Sequence, residues 1–417
     1  MSVAIGSRRL CPLGRLLRRP PRYGINAPAV PLTPGASTYI RITDIDGSGR
    51  FSPNPKVGVD HPKRLDYVLH EGELVFARTG ASVGKSYLYD SRDGELVYAG
   101  FLINIAPDPG VLNPKYLAAF VQTKEYWDWV ERTSMRSGQP GINGREYAGL
   151  PVPVFDIQQQ DAIAKVATDA DGLVAALEEL IAKKQAIKQG MMQELLTGRT
   201  RLPGFSHSWK EVRLGDRVAY IKSVALSRAQ LDRESSLRYL HYGDIHTSTS
   251  ITLDAANMDM PRASLSRAAN AGRLKVGDLV FADASEDTAG VGRSVEITSV
   301  PEEGLVPGLH TITARFDTAI LADGFKAYLQ FHPSFRASLL RLAAGTKVLA
   351  TTRSYISSIR LFLPDVAEQR EIAEVLRDAD TEIEHLAARL DKARHIKQGM
   401  MQELLNGRTR LTMEAAS

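Results

Sequence analysis

The strongest constraint on this chain is an internal repeat. IKQGMMQELLTGRTRL at 187–202 returns as IKQGMMQELLNGRTRL at 396–411, with Thr197 against Asn406 as the one difference. The same offset of 209 residues carries upstream without a gap. Asp156 meets Asp365, Gln160 meets Gln369, Ile163-Ala164 meets Ile372-Ala373, and Asp169-Ala170-Asp171 meets Asp378-Ala379-Asp380. Self-similarity at a fixed offset marks repeated structural units, so the 417 residues are two copies of one plan.

The repeated segments read as long helices. Asp156 with Gln159, and Asp365 with Glu368, have the spacing of a capping box. Gly198 and Gly407 then stand where a left-handed residue commonly ends a helix. Apolar positions between these limits recur at steps of three and four. They are Ile163, Val166, Ala170, Leu173, Leu177, Leu180, Ile187 and Met191 in the first copy, with Lys184 inserted. In the second they are Ile372, Val375, Ala379, Ile383, Leu386, Leu390, Ala393, Ile396 and Met400. Spacing near 3.5 sustained over four heptads predicts a coiled-coil seam, and the matched seams predict an antiparallel pair. Residues 157–196 would span roughly 60 Å as a helix. Lys184 and Glu382 interrupt the seam. Gly190 and Gly399, each unfavourable in a helix interior, point to close approach of another backbone.

The segments between the helices are related only loosely. YIRITDID (39–46) resembles YLHYGDIH (239–246), EGELVFAR (71–78) resembles VGDLVFAD (276–283), and VGKS (83–86) resembles VGRS (291–294). SGQPGINGREYAGLPVPV (137–154) parallels AGTKVLATTRSYISSIRLFLP (344–364). Alternation at Leu74, Phe76 and at Leu279, Phe281 predicts strands between Gly-rich turns. Residues 116–130 and 325–342 read as helical. The expected class is therefore α+β, with a pseudo-twofold internal repeat of two mixed α/β domains joined by two long antiparallel coiled-coil helices. The order is a domain over 1–155, a helix over 156–202, a domain over 203–364, and a helix with its tail over 365–417.

Composition narrows the class further. The chain is 43% hydrophobic with a single cysteine, Cys11, which excludes a disordered or disulfide-built protein and suits a reducing cytoplasm. No stretch approaches the ~20 apolar residues of a membrane span. The Arg-rich start runs straight into proline and glycine, so it reads as part of the folded chain. The net charge of +4 is unevenly spread. Residues 1–150 carry 19 Lys/Arg against 14 Asp/Glu, whereas 359–417 carry 9 against 11. Such a surplus on the globular segments hints at a polyanionic partner.

Motifs for catalysis fail one by one. TGASVGKS (79–86) approaches a phosphate-binding loop, but only three residues separate Gly80 from Gly84 where the loop needs four, and Arg293 replaces Lys85 in the second copy. A turn between strands is the better reading. NPKY (113–116) has Lys115 where the amino-methyltransferase tetrapeptide has proline, and no Gly-rich cofactor loop accompanies it. The nine histidines contain no metal-binding spacing. What remains is recognition chemistry, because Arg and Lys neutralise phosphates while Arg, Gln and Asn can contact base edges bidentately. The DNA-binding candidates are Arg18, Arg19, Arg22, Tyr23, Arg78, Lys85, Arg136, Gln139, Asn143 and Arg145 in the first domain. In the second they are His241, Arg262, Arg293, Lys347 and Arg353.

The helix-end repeat, the EGELVFARTGASVGKS block and the SGQ loop resemble those of specificity subunits of type I restriction–modification systems. That resemblance spans the whole chain and makes the two globular segments target-recognition domains. It implies a non-catalytic subunit that reads a bipartite asymmetric site in double-stranded DNA. Its implied partners are adenine-methyltransferase subunits, two per specificity subunit, and restriction–translocase subunits, with no cofactor or metal of its own. A methylation-only system of the same architecture, or a nucleotide-using enzyme built on TGASVGKS, are the alternatives.

Overall fold

The computed structural model describes residues 9–135, 138–343, 349–409 and 411. Its fold is α+β, and the chain divides into two compact units. One comprises residues 1–179 with 387–417, the other 180–386. The long helices Ile157–Leu195 and Val366–Leu405 therefore each contribute one part to each unit.

In the first unit, strand Leu74–Ala77 pairs antiparallel with Ser86–Leu88 and Leu102–Ile105, with Arg22–Tyr23 at the edge. A second four-stranded sheet holds Ser37–Ile40 parallel to Leu96–Tyr98. Leu74 and Phe76 face one core and Val75 and Ala77 another, so this strand is buried on both faces. The first core also takes Ile163, Ala164 and Ala167 from the start of the first long helix and Met401, Leu404 and Leu405 from the end of the second.

The second unit repeats this plan. Leu279–Ala282 lies between Ser294–Ser299 and Thr311–Phe316 in a five-stranded sheet. Its core takes Ile372, Ala373 and Leu376 from the start of the second long helix and Leu195 and Leu196 from the end of the first. Each GMMQELL segment thus packs beside the opposite helix's first turns, in the core of one domain. The expected helix over 116–130 is two helices, Pro114–Phe120 and Lys124–Ser134, because Thr123 caps the second. The stretch 325–342 is likewise broken, where His332 and Pro333 begin the helix Pro333–Leu342.

The helix starts follow the repeat closely. Asp156 and Asp365 accept from the backbone N–H of Gln159 and Glu368 at 2.8 and 2.9 Å. Glu368 departs from the expected capping box, since its carboxylate binds Arg201 instead, at 2.5 and 2.6 Å. Gly198 and Gly407 end the helices at φ 69° and 70°.

The seam departs from the expected one. Ile163, Val166, Leu177, Ile372, Val375 and Leu386 lie buried or half-buried, but Leu173, Ile187 and Ile396 are about half exposed. Val174 takes the place of Leu173. Beside the two isoleucines, Lys188 bonds Asp380 in the second unit, and Lys397 bonds Asp171 in the first. These pairs are related by the 209-residue offset. Lys184 and Glu382 interrupt the seam together, paired at 2.7 Å. In each unit the partners advance along one helix as they retreat along the other, Asp171 to Lys397 and Glu178 to Arg394 in the first. The helices are antiparallel there.

Gly190 and Gly399 meet no other backbone: a Cβ on either would touch nothing within 4 Å. Gly190→Ala should therefore stabilise the chain by about 0.5–1 kcal/mol, the helix-propensity gain alone. A shift in the denaturation midpoint of purified protein reads this directly, and a loss of stability would show that the space is occupied.

Candidate nucleic-acid interface

Each unit has a cleft beside the end of its central strand. In the first, Arg78 follows strand Leu74–Ala77; its N–H donates to Phe101 O at 3.0 Å and its carbonyl accepts from Ile142 N–H at 2.9 Å. The turn Gly80–Ser82 then leads directly into the next strand. Gly84 sits at φ 88°, and a Cβ there would stand 2.7 Å from Val130. Gly292 is likewise left-handed, and a Cβ there would run into Leu339. The shared glycine of VGKS and VGRS thus answers to packing. A strand and not an α-helix follows it, whereas a phosphate-binding loop opens an α-helix, and Lys85 donates to Ile45 O at 3.1 Å.

The first cleft has a volume of about 700 Å³ and is lined by Tyr23, Asn26, Arg41, Arg78 and Phe101, among others. The Arg78 guanidinium lies 4.9 Å from the Tyr23 ring centroid. Tyr23 is held in turn by Gly144 N–H, which donates to its hydroxyl at 3.0 Å. Arg41 is locked onto buried Asp44 by two bonds of 2.8 and 2.9 Å, which hold its guanidinium above its ordinary pKa.

In the second unit a cleft of about 660 Å³ is lined by Tyr242, His246, Ser285, Glu286, Asp287, Arg293 and His310, among others. The Tyr242 ring makes edge contacts with His310 at 5.3 Å and His246 at 6.1 Å. His310 Nδ1 lies 3.0 Å from a carboxylate oxygen of Asp283, the residue that follows strand Leu279–Ala282.

The structure gives the expected DNA-binding residues distinct roles. Arg78 and Tyr23 come together in the first cleft, and Arg293 lines the second while donating to Ser248 O. Arg22 lies over Tyr67 at 4.5 Å and Arg353 over Tyr220 at 5.7 Å. Arg19 is committed to buried Glu73 at 2.9 Å, and Arg262 donates to Ser235 O at 3.3 Å. Arg18, Gln139 and Arg145 are exposed. Asn143 and His241 are helix N-caps, accepting from Glu146 and Gly243 N–H at 3.0 and 3.1 Å. Arg136 and Lys347 lie outside the described residues. Residue-type reasoning missed Phe101, Asp283 and His310. The match of LVFAR to LVFAD was the available signal, since it sets Arg78 against Asp283.

Two buried histidines make the second unit acid-sensitive. His241 and His332 cap helices through Nδ1. Burial pushes both imidazoles below their ordinary value; Arg228 and His310 add to this at His241, while Asp244 opposes it. A proton on Nδ1 removes the cap acceptor, and the unfolded chain takes that proton first. Stability is therefore complete above about pH 6.5 and falls as pH drops below it. Replacing both by asparagine, which keeps the acceptor but does not titrate, should flatten the pH dependence of the denaturation midpoint between pH 7 and 6. Glu296, pushed up to about 6 by burial, works in the opposite sense below that pH, equally in both proteins.

No family model matches the chain. The specificity subunit of type I restriction enzyme MjaVIII from Methanocaldococcus jannaschii is 21% identical over 360 residues, 83% of this chain and 81% of the relative. The putative MjaX specificity subunit of that organism is 21% identical over 370 residues, 83% of this chain and 80% of the relative. Among solved structures, the type I restriction–modification S subunit of M. genitalium matches with a TM-score of 0.61 at 12% identity, covering 99% of this chain and 98% of that one. A chain from a structure on complex assembly and conformational transition of the type I system matches with 0.57 at 17% identity, covering 98% and 100%. The resemblance carried by the helix-end repeat is thus borne out: in sequence over four-fifths of its length, and in fold over nearly all of it, the chain is similar to type I restriction enzyme specificity subunits.

Proposed function

We propose that this chain is the DNA sequence-specificity subunit of a type I restriction–modification complex, acting in the cytoplasm. It reads a bipartite, asymmetric target in double-stranded DNA, one half-site per domain, and performs no catalysis itself. One observation carries this reading. Two domains share a backbone plan and present different side chains where their central strands end, while the helix ends are almost identical. Domains that read different sequences must differ at their clefts, whereas segments that dock identical partners must stay alike.

Adenine-methyltransferase subunits, two per chain, and restriction–translocase subunits are the partners in this reading. Leu173, Leu180 and Ile187 recur at seven-residue intervals on the first long helix, and they and Ile396 are exposed apolar residues for a partner to cover. Among the described residues no helix is long and apolar enough to cross a membrane, and no group of three His, Cys, Asp or Glu could hold a metal.

The test is to co-express the chain with its methyltransferase partner and map methylated adenines genome-wide. A split, asymmetric motif that disappears without this chain is the expected result. A continuous motif, or methylation indifferent to the chain, overturns the reading. Exchanging residues 1–150 for the corresponding domain of a relative should change one half-site alone.

A further inference from the structure

Three backbone hydrogen bonds align the ends of the two central strands, independently of their side chains. Ala77 N–H donates to Lys85 O at 2.8 Å, and Ala282 N–H to Arg293 O at 3.0 Å. Arg78 N–H donates to Phe101 O at 3.0 Å, and Asp283 N–H to His310 O at 3.1 Å. The Arg78 carbonyl accepts from Ile142 at 2.9 Å, and that of Asp283 from Thr351 at 2.7 Å. Arg78 and Asp283 therefore hold one position in the shared plan, and Phe101 and His310 hold another.

At that position the hydrogen-bonding sense is reversed. A guanidinium only donates and an ionised carboxylate only accepts. Arg78 lies over Tyr23 and, among the described residues, makes no ion pair. Asp283 is bonded to His310, with Glu286 and Asp287 in the adjoining cleft. An ionised carboxylate at position 283 repels phosphates, so that position is unsuited to clamping the backbone. Base edges are the part of DNA that offers donors to a carboxylate, through the amino groups of adenine N6 and cytosine N4.

His310 strengthens the argument. It is the one non-glycine residue with a left-handed backbone among the described residues, at φ 57°. Such a conformation costs energy and persists only where its surroundings impose it; it is also a recurrent mark of functional sites. Here it places the imidazole against Asp283 and the Tyr242 ring.

We propose that positions 78 and 283 are the equivalent specificity-determining positions of the two domains. Arg78 selects a base with acceptors on its edge, guanine, in the first half-site. Asp283, oriented by His310, selects an exocyclic amino group in the second. This inference rests on the DNA-reading function proposed above and adds to it the residues and the class of base edge.

The test uses the full chain assembled with its methyltransferase subunits, carrying Arg78→Ala, Asp283→Asn or His310→Gly, with genome-wide adenine methylation as the readout. Asp283→Asn should relax the base preference at one position of one half-site by roughly 5- to 150-fold, leaving the other half-site intact. Arg78→Ala should do the same in the other half. His310→Gly relieves the left-handed backbone, so the protein should melt no lower than the parent while losing the same position as Asp283→Asn. If the variants change the extent of methylation but leave every base preference as in the parent, the side chains do not read bases and the proposal fails. If the parent complex yields no split motif, the DNA-reading function itself is overturned, and this proposal with it.

Discussion

Replacing Leu404 and Leu405 with alanine should unfold the first unit, although both residues lie more than 230 positions from the domain they stabilise. Each is 2% exposed and belongs to the core that holds Leu74, Phe76, Tyr116 and Phe120. Burying such a side chain contributes about 1.5–3 kcal/mol, and truncation to alanine costs about 2–5 kcal/mol once the cavity is included. Two truncations approach the whole stability of a typical domain, about 5–15 kcal/mol. Amide exchange in strand Leu74–Ala77 should accelerate while strand Leu279–Ala282 stays protected. Leu195→Ala with Leu196→Ala should give the reverse, since those residues lie in the second core. Loss of protection confined to 396–411 in the first variant would show that the helix end is a surface attachment. Under the proposed function, the first variant should also lose one half-site.

Gln160→Leu and Gln369→Leu should each cost at least about 3 kcal/mol. Gln160 is fully buried and makes three bonds: its oxygen accepts from Asn113 N–H at 2.9 Å, and its nitrogen donates to Val111 O and Phe155 O at 3.0 and 2.9 Å. Gln369 repeats this with Ala322 N–H at 2.9 Å and the carbonyls of Ile320 and Pro364 at 2.8 and 3.0 Å. Leucine has nearly the same volume but strands one donor and two acceptors, each at a cost of about 1–3 kcal/mol. Thermal denaturation of the single variants checks this. A midpoint unchanged in either would mean that water reaches these groups.

The offset that paired Gln160 with Gln369 was legible in the sequence, but its meaning was not. Sequence reading placed both glutamines on a helix near its start; only tertiary packing shows each one tying that helix to a loop before it. The seam was legible to within one residue. Leu173 and Val174 are neighbours of similar hydropathy, and a periodicity argument has no physical ground for choosing between them. At Ile187 and Ile396 the apolar residue was the natural choice, yet the adjacent lysines reach Asp380 and Asp171 across the pair. Ion pairs between distant residues leave no trace in local spacing.

The lining of the clefts was partly legible. Arg78, Tyr23 and Arg293 were singled out by residue type, because cations and aromatics carry the chemistry of nucleic-acid contact, and the fold sets them at the clefts. Asp283 and His310 were not singled out for the converse reason, since an acid beside a polyanion argues against itself until its backbone position is known. Asn143 and His241 were chosen as side chains that can contact a base, and the fold also uses them to cap helices.

By itself the sequence determined that the chain is duplicated, that each copy ends in a long helix with a defined start and stop, and that the globular parts diverged. These follow from local physics, namely caps, periodicity and turn residues, which act over a few positions along the chain. The tertiary structure decided which domain each helix end completes and which two residues hold one position at the ends of the two central strands. Both are matters of packing between segments far apart in sequence. Hydrophobic burial is non-directional, so the pattern of apolar residues names the buried face but not the partner that covers it.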